Sequence, residues 1–179
     1  MDKYSRLSSI GFKLAAMALA IGAAGSAMAA NNATATATST VITPIAISKA
    51  ADLAFGSISV GAGGGTVTVA TDGARTKTGD VFLAGGATGT AAKFDVTGSG
   101  TMTYSITLGG DTSLSDGTNT MTFARVSDLT GAGATSGNVT SGALTAGAQS
   151  IYVGGVLTVA ANQPAGAYTG NISATVDYN

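Results

Sequence analysis

Over most of this chain the apolar residues recur at every second position, the period of a strand with one buried face, and not at the spacing of a helix. The last segment is the cleanest. Tyr168, Gly170, Ile172, Ala174, Val176 and Tyr178 alternate with Thr169, Asn171, Ser173, Thr175 and Asp177. Ile151, Val153, Gly155, Leu157 and Val159 repeat the pattern in "SIYVGGVLTVA", where the glycine pair predicts a bulge or a close backbone approach. Met102, Tyr104, Ile106 and Leu108 share a face, Met121 and Phe123 begin another, and Phe94 with Val96, Val81 with Leu83 and Val67 with Val69 mark shorter strands. In "DLAFGSISV" the apolar phase moves from Leu53 and Phe55 to Ile58 and Val60, a one-residue slip that a bulge at Gly56 would produce.

The punctuation fits these strands. Asp72-Gly73, Gly98-Ser99-Gly100 and Asp116-Gly117 are turn signals between them. Short strands, turn glycines and no helical pattern after Ala29 predict an all-β protein, an antiparallel β-sandwich. Thr130–Gln149 resists assignment: it is either a long flexible loop or carries a short strand near Asn138–Leu144.

The first residues follow another logic. Lys3, Arg6 and Lys13 make a basic start, Leu14–Gly25 is a short apolar run, and Ala27-Met28-Ala29 is an A-x-A processing site. That order is a secretory signal peptide, expected to occupy 1–29 and to be removed after Ala29. The apolar run is too short to span a bilayer, which takes roughly 20 residues. Ala30 to Asn179 then leaves 150 residues, the size of one domain with a core of its own.

Composition narrows the chemistry. The chain has no histidine, cysteine, tryptophan or glutamate, which excludes a disulfide framework, Ser-His-Asp and Cys-His machinery and the usual zinc sites. Ser48-Lys49 would be a candidate dyad, but neighbours on a strand point to opposite faces. Asp72, Asp80, Asp111, Asp116 and Asp128 mostly sit beside Gly, Ser or Thr, as turn residues do. "DTSLSDGTN", Asp111–Asn119, is rich in oxygen donors but lacks the alternate acidic ligands and closing glutamate of a calcium loop, so a plain hairpin at Asp116-Gly117 is expected. From Ala30 onward five basic residues face eight aspartates, a net of −3, with no basic patch for nucleic acid or an anionic membrane. An enzyme, a cofactor, a small-molecule substrate and a nucleic-acid partner are all unexpected.

The C-terminal "YVGGVLTVAANQPAGAYTGNISATVDYN" resembles the ending of a family of small exported bacterial proteins of unknown function, G-G-x-L-x-V, then P-A-G-x-Y-x-G, then an alternating strand with a terminal Tyr. Here those positions are Gly154, Gly155, Leu157, Val159, Pro164, Ala165, Gly166, Tyr168, Gly170 and Tyr178. "PIAIS…DLAFGSI" (Pro44 to Ile58) is similar to that family's D-L-x-F-G motif. The ending is also similar to spore-coat-protein-U-like pilins and, more distantly, to chaperone–usher pilins, in which a penultimate aromatic and a glycine fourteen residues from the end flank the last strand. Tyr178 and Gly166 hold those places. The resemblance implies an immunoglobulin-like sandwich lacking one strand, which the N-terminal extension of the next subunit supplies after a periplasmic chaperone has held the groove. It also implies that Gly166, Tyr168, Ile172, Ala174, Val176 and Tyr178 form the last-strand groove and chaperone contact. Many such pilins have a disulfide near the first strand, and this chain has no cysteine.

The segment 30–43 suits the donor's part, ahead of a sandwich domain at 44–179. Its odd positions read Ala33, Ala35, Ala37, Ser39 and Val41, a small apolar face, and its even positions Thr34, Thr36, Thr38 and Thr40 are β-branched. It could add to a neighbour's open edge by backbone hydrogen bonds. It could also be the first strand of its own sandwich, or a linker. Two functions therefore stay open. One is a structural subunit of a surface fibre, joined head to tail to identical subunits by donor-strand exchange, with a periplasmic chaperone and an outer-membrane usher as partners. The other is a monomeric secreted binding module presenting Thr130–Gln149 or Asp111–Asn119.

Overall fold

A computed structural model describes residues 31–84 and 89–179; the expected signal peptide, 1–29, and Ala30 lie outside the described residues. The chain divides into two compact units, Met1–Thr40 and Val41–Asn179. Of the first, the described residues 31–40 form neither strand nor helix and are exposed. Ala33, Ala35, Ala37 and Ser39 all lie there, and Val41, the first residue of the second unit, is 96% exposed.

Every regular element described in the second unit is a strand, and every pairing is antiparallel. In chain order they are β1 (Ala46–Ala51), β2 (Ile58–Val69), β3 (Arg75–Leu83), β4 (Ala92–Thr97), β5 (Thr103–Gly110), β6 (Ser113–Ser115), β7 (Thr120–Asp128), β8 (Ser141–Ala143), β9 (Ala148–Val159) and β10 (Ile172–Tyr178). The larger sheet runs β1-β4-β9-β2-β3, with β7 also on β9 and β6 beyond it; the smaller runs β10-β5-β8. Together they make an all-β, sandwich-like arrangement.

One strand belongs to both ends of the larger sheet. The first half of β9 pairs with β4 (Ala92↔Val153 to Thr97↔Ala148) and the second half with β2 (Val69↔Gly155 to Gly65↔Val159), while β7 pairs across the middle of both (Asp128↔Tyr152 to Phe123↔Leu157). Gly154-Gly155 sits where the partners change. The pairing runs through it without a shift, so the pair serves close approach and not a bulge: a Cβ on Gly154 would overlap the Val69 carbonyl, and one on Gly155 would lie 2.9 Å from the Ala124 oxygen.

The alternating residues of β9 face two cores in succession. Ile151 and Val153 join Phe94, Val96, Tyr104, Ile106 and Val176, between the β1-β4-β9 end and the smaller sheet. Leu157 and Val159 join Phe55, Val67, Val69, Val81, Met121 and Phe123. β10 has the phase read from the sequence: Ile172, Ala174 and Tyr178 are half-buried, Val176 is buried, and Ser173, Thr175 and Asp177 are exposed.

The segment 130–149 does contain a short strand, β8, paired with β5 through Thr103↔Ala143 to Ser105↔Ser141. What precedes it is pinned by two polar side chains. The Asp128 carboxylate accepts the N–H groups of Thr130, Gly131 and Ala132 and the Thr71 hydroxyl. The Thr71 Oγ1 accepts the Ala134 N–H at 2.8 Å. This loop is irregular but tied down.

Candidate functional site

The second core is not closed. An apolar groove with a volume of about 840 Å³ opens over it. Its floor is the buried set Phe55, Met121, Phe123, Leu157 and Val159, and its rims are Leu53, Ile58 and Val60 on one side and Tyr168 and Ile172 on the other. Among the described residues no charged side chain lines it. Apolar surface left uncovered costs solvation free energy, roughly 25 cal/mol per Å².

The first rim depends on Gly56, which is not the strand bulge expected there but lies in the irregular link between β1 and β2. Gly56 has φ of 70°, a conformation that costs a residue with a Cβ far more than glycine. That turn lets Leu53 and Phe55 before it and Ile58 and Val60 after it all line one groove. Two tethers hold the rim: Ala54 exchanges backbone hydrogen bonds with Thr90 at 2.9 and 3.0 Å, and the Arg75 guanidinium donates to the Phe55 carbonyl at 2.7 Å.

The second rim is the strand-like run before β10. Thr169 exchanges backbone hydrogen bonds with Ser115 at 2.8 and 2.9 Å. Asn171 takes Asp111 N–H on its carbonyl at 2.8 Å and gives its own N–H to the Asp111 carboxylate at 2.7 Å. Backbone polar groups of successive residues in an extended chain point to opposite sides. With Thr169 and Asn171 bonded toward β6, the N–H and C=O of Tyr168 and Gly170 turn toward the groove, and they make no hydrogen bond among the described residues. The groove therefore has an apolar floor and an unpaired backbone edge together.

Turn carboxylates support that rim from behind. Asp116 accepts Thr118 N–H, Asn119 N–H and the Asn119 amide, and hydrogen bonds from Asn119 first and Thr118 next hold its carboxyl down at about 2. This is the hairpin expected at Asp116-Gly117, between β6 and β7. Tyr168 donates its hydroxyl to the Pro164 carbonyl at 2.8 Å and accepts from the Gln163 amide at 2.9 Å, which closes the loop upon itself.

Of the residues expected to form a last-strand contact, the structure brings Gly166, Tyr168 and Ile172 to the groove. Ala174, Val176 and Tyr178 continue the same face of β10 but pack against the first core. The residues that sequence reasoning did not gather are the floor and the first rim. The phase change at Gly56 was the one signal for the latter, and nothing local joins 53–60 to 163–172. Elsewhere, Lys49 of the Ser48-Lys49 pair makes an exposed ion pair with Asp52 at 2.7 Å. No cluster of three metal-ligating side chains occurs among the described residues.

A family model described as "Domain of unknown function (DUF4402)" matches residues 45–178. No curated protein matches the chain, and no solved structure does.

Proposed function

The chain belongs to the DUF4402 family, and on that premise we propose that it is a structural subunit of a bacterial surface fibre, polymerised by donor-strand exchange. The observation that carries this reading is the uncharged groove of about 840 Å³ bordered by the unpaired backbone of Tyr168 and Gly170. A single extended segment answers both needs. Its alternate side chains cover the floor, and its N–H and C=O groups pair the edge, each net hydrogen bond contributing about 0.5–1.5 kcal/mol. The N-terminal extension has the required form: residues 31–45 carry no strand, and Ala33, Ala35, Ala37, Ser39 and Val41 present one small apolar face. The reading makes the sandwich immunoglobulin-like with one strand supplied by a neighbour. It makes the protein a non-enzyme, exported through the periplasm to the cell surface, with chaperone and usher as transient partners that cover the same groove.

Deleting Ala30 to Val41 tests it. The truncated protein is expected to keep its fold and lose the ability to form polymers, and Ala35→Asp and Ala37→Asp should block assembly where Thr36→Asp does not. Fusing a copy of Asn31 to Thr43 after Asn179 through a flexible linker should give a soluble, self-complemented monomer. A mature protein that stays monomeric at high concentration, with no fibres on cells, overturns the reading. The monomeric binding module would then stand. It has a separate feature in its favour, a depression of about 350 Å³ bordered by Asp72, Lys93, Thr130 and Tyr152 beside the anchored loop.

A further inference from the structure

We infer that Tyr178 is a positioning residue for the N-terminal extension, its hydroxyl latching the chain at the point where the extension leaves the domain. The phenol oxygen accepts the Ser99 N–H at 2.6 Å and donates to the Thr43 carbonyl at 3.0 Å. The three groups form a relay in one direction, from an amide through a hydroxyl to a carbonyl, an arrangement in which each bond polarises the next. Space for it is made by Gly98, where a Cβ would overlap the phenol oxygen.

The joint is stiff on its other side as well. Thr43 precedes Pro44, so its backbone is confined to extended conformations, and the proline ring fixes the next φ. The latch also marks a sharp change in surroundings. Ile45, two residues further on, packs against the first core, whereas Val41, two residues before, is 96% exposed. The last carbonyl of the free segment is thus gripped by the penultimate residue of the chain. Thr43 held in this way cannot swing freely on its own domain. In a fibre, that restraint limits the play between successive subunits.

The latch is a property of a single domain; only the step to fibre geometry rests on the proposed function, and the tests separate the two. Tyr178→Phe removes the hydroxyl and keeps the ring. In mature wild-type protein the backbone order parameters of Ile42 and Thr43 should stand near the rigid value of about 0.85, and in Tyr178→Phe they should fall below about 0.6, with β4 and β10 unchanged. Gly98→Ala, which displaces the phenol without deleting it, should do the same. Fibres of Tyr178→Phe subunits should assemble but show a persistence length several-fold shorter in electron micrographs. Unchanged order at Ile42 and Thr43 in both variants overturns the latch, and so does loss of the fold in Tyr178→Phe, since the hydroxyl would then be holding the sandwich and not the joint. Loosened order in a protein that makes no fibres leaves the latch standing and removes the fibre reading.

Discussion

The two halves of β9 have the same alternation and different company. Ile151 and Val153 are fully buried beneath the smaller sheet, with Val176 and Ile106 closing over them from β10 and β5. Leu157 and Val159 are nearly as buried, yet part of their cover is the groove. In the first half a strand is ordered by contacts on the opposing smaller sheet; in the second, part of its cover gives way to the groove. Burial of individual residues does not reveal this difference. Phe55, Phe123 and Leu157 are shielded by their neighbours, and the deficit is concentrated at the rims, in half-exposed Leu53, Ile58 and Val60.

The strongest way to break the comparison is to charge the closed half. Val176 faces Ile106 with 7% exposure, whereas Thr175 beside it is exposed. An unpaired buried charge costs several kcal/mol against a total stability of about 5–15 kcal/mol. Val176→Asp should therefore prevent soluble accumulation, and Thr175→Asp should leave the melting temperature within a few degrees of wild type. Equal losses from the two would mean that β10 has another register.

A finer comparison sets one truncation in each half. Ile151→Ala should cost about 2–5 kcal/mol in denaturant melts, the range for a fully buried aliphatic side chain. Ile58→Ala, on the open rim, should cost under about 1.5 kcal/mol in the monomer. Its cost should rise once the extension is fused in place after Asn179, because the rim then has something to pack against. If Ile58→Ala costs the monomer as much as Ile151→Ala, the second half is already closed.

The smallest effect concerns acid. Burial pushes the Asp128 carboxyl up, but the Thr71 hydroxyl and the N–H groups of Gly131, Thr130 and Ala132 together hold it below the usual carboxylate range. A depressed folded value contributes stability above the unfolded value of about 3.9 and loses it as pH falls through the folded one. Asp128→Asn should cost about 1.5–3 kcal/mol at pH 7, the range for hydrogen bonds to a charged acceptor. The gap between variant and wild type should narrow steadily below pH 4. A gap that is the same at pH 7 and pH 3 would show that the carboxylate's charge is not what pins the loop.

Much of this architecture was legible because period-two patterning is a local property. The faces of β5, β9 and β10 followed from Tyr104, Ile151 and Val176 and their alternate neighbours, and Asp116-Gly117 announced its hairpin. The loop after Asp128 was not legible, since it is ordered by Thr71, a residue far away in sequence whose hydroxyl has no pattern to betray it. The groove was half legible. The C-terminal rim lay in a strand that anyone could read, and the slip at Gly56 said that Leu53–Val60 was unusual. That those two segments face each other is a fact of topology, decided by which strands β9 accepts. Whether the extension of residues 31–43 fills the gap belongs to assembly, and a single chain's pattern speaks only to its suitability.

The shared strand also has a consequence in time. Residues 65–69 of β2 and 92–97 of β4 are made early and pair on one edge with the nearby β3 and β1, but their other edges find a partner only in β9, between 148 and 159. Contacts so distant along the chain are slow to form, because the loop entropy must be lost before any pairing compensates it. A growing chain that ends before β9 can form local pairs such as β2-β3 and β6-β7 but completes neither core, and it leaves open edges. Completion of the fold therefore waits for the C-terminal fifth of the molecule. Until then the nascent polypeptide is at its most vulnerable to aggregation and proteolysis.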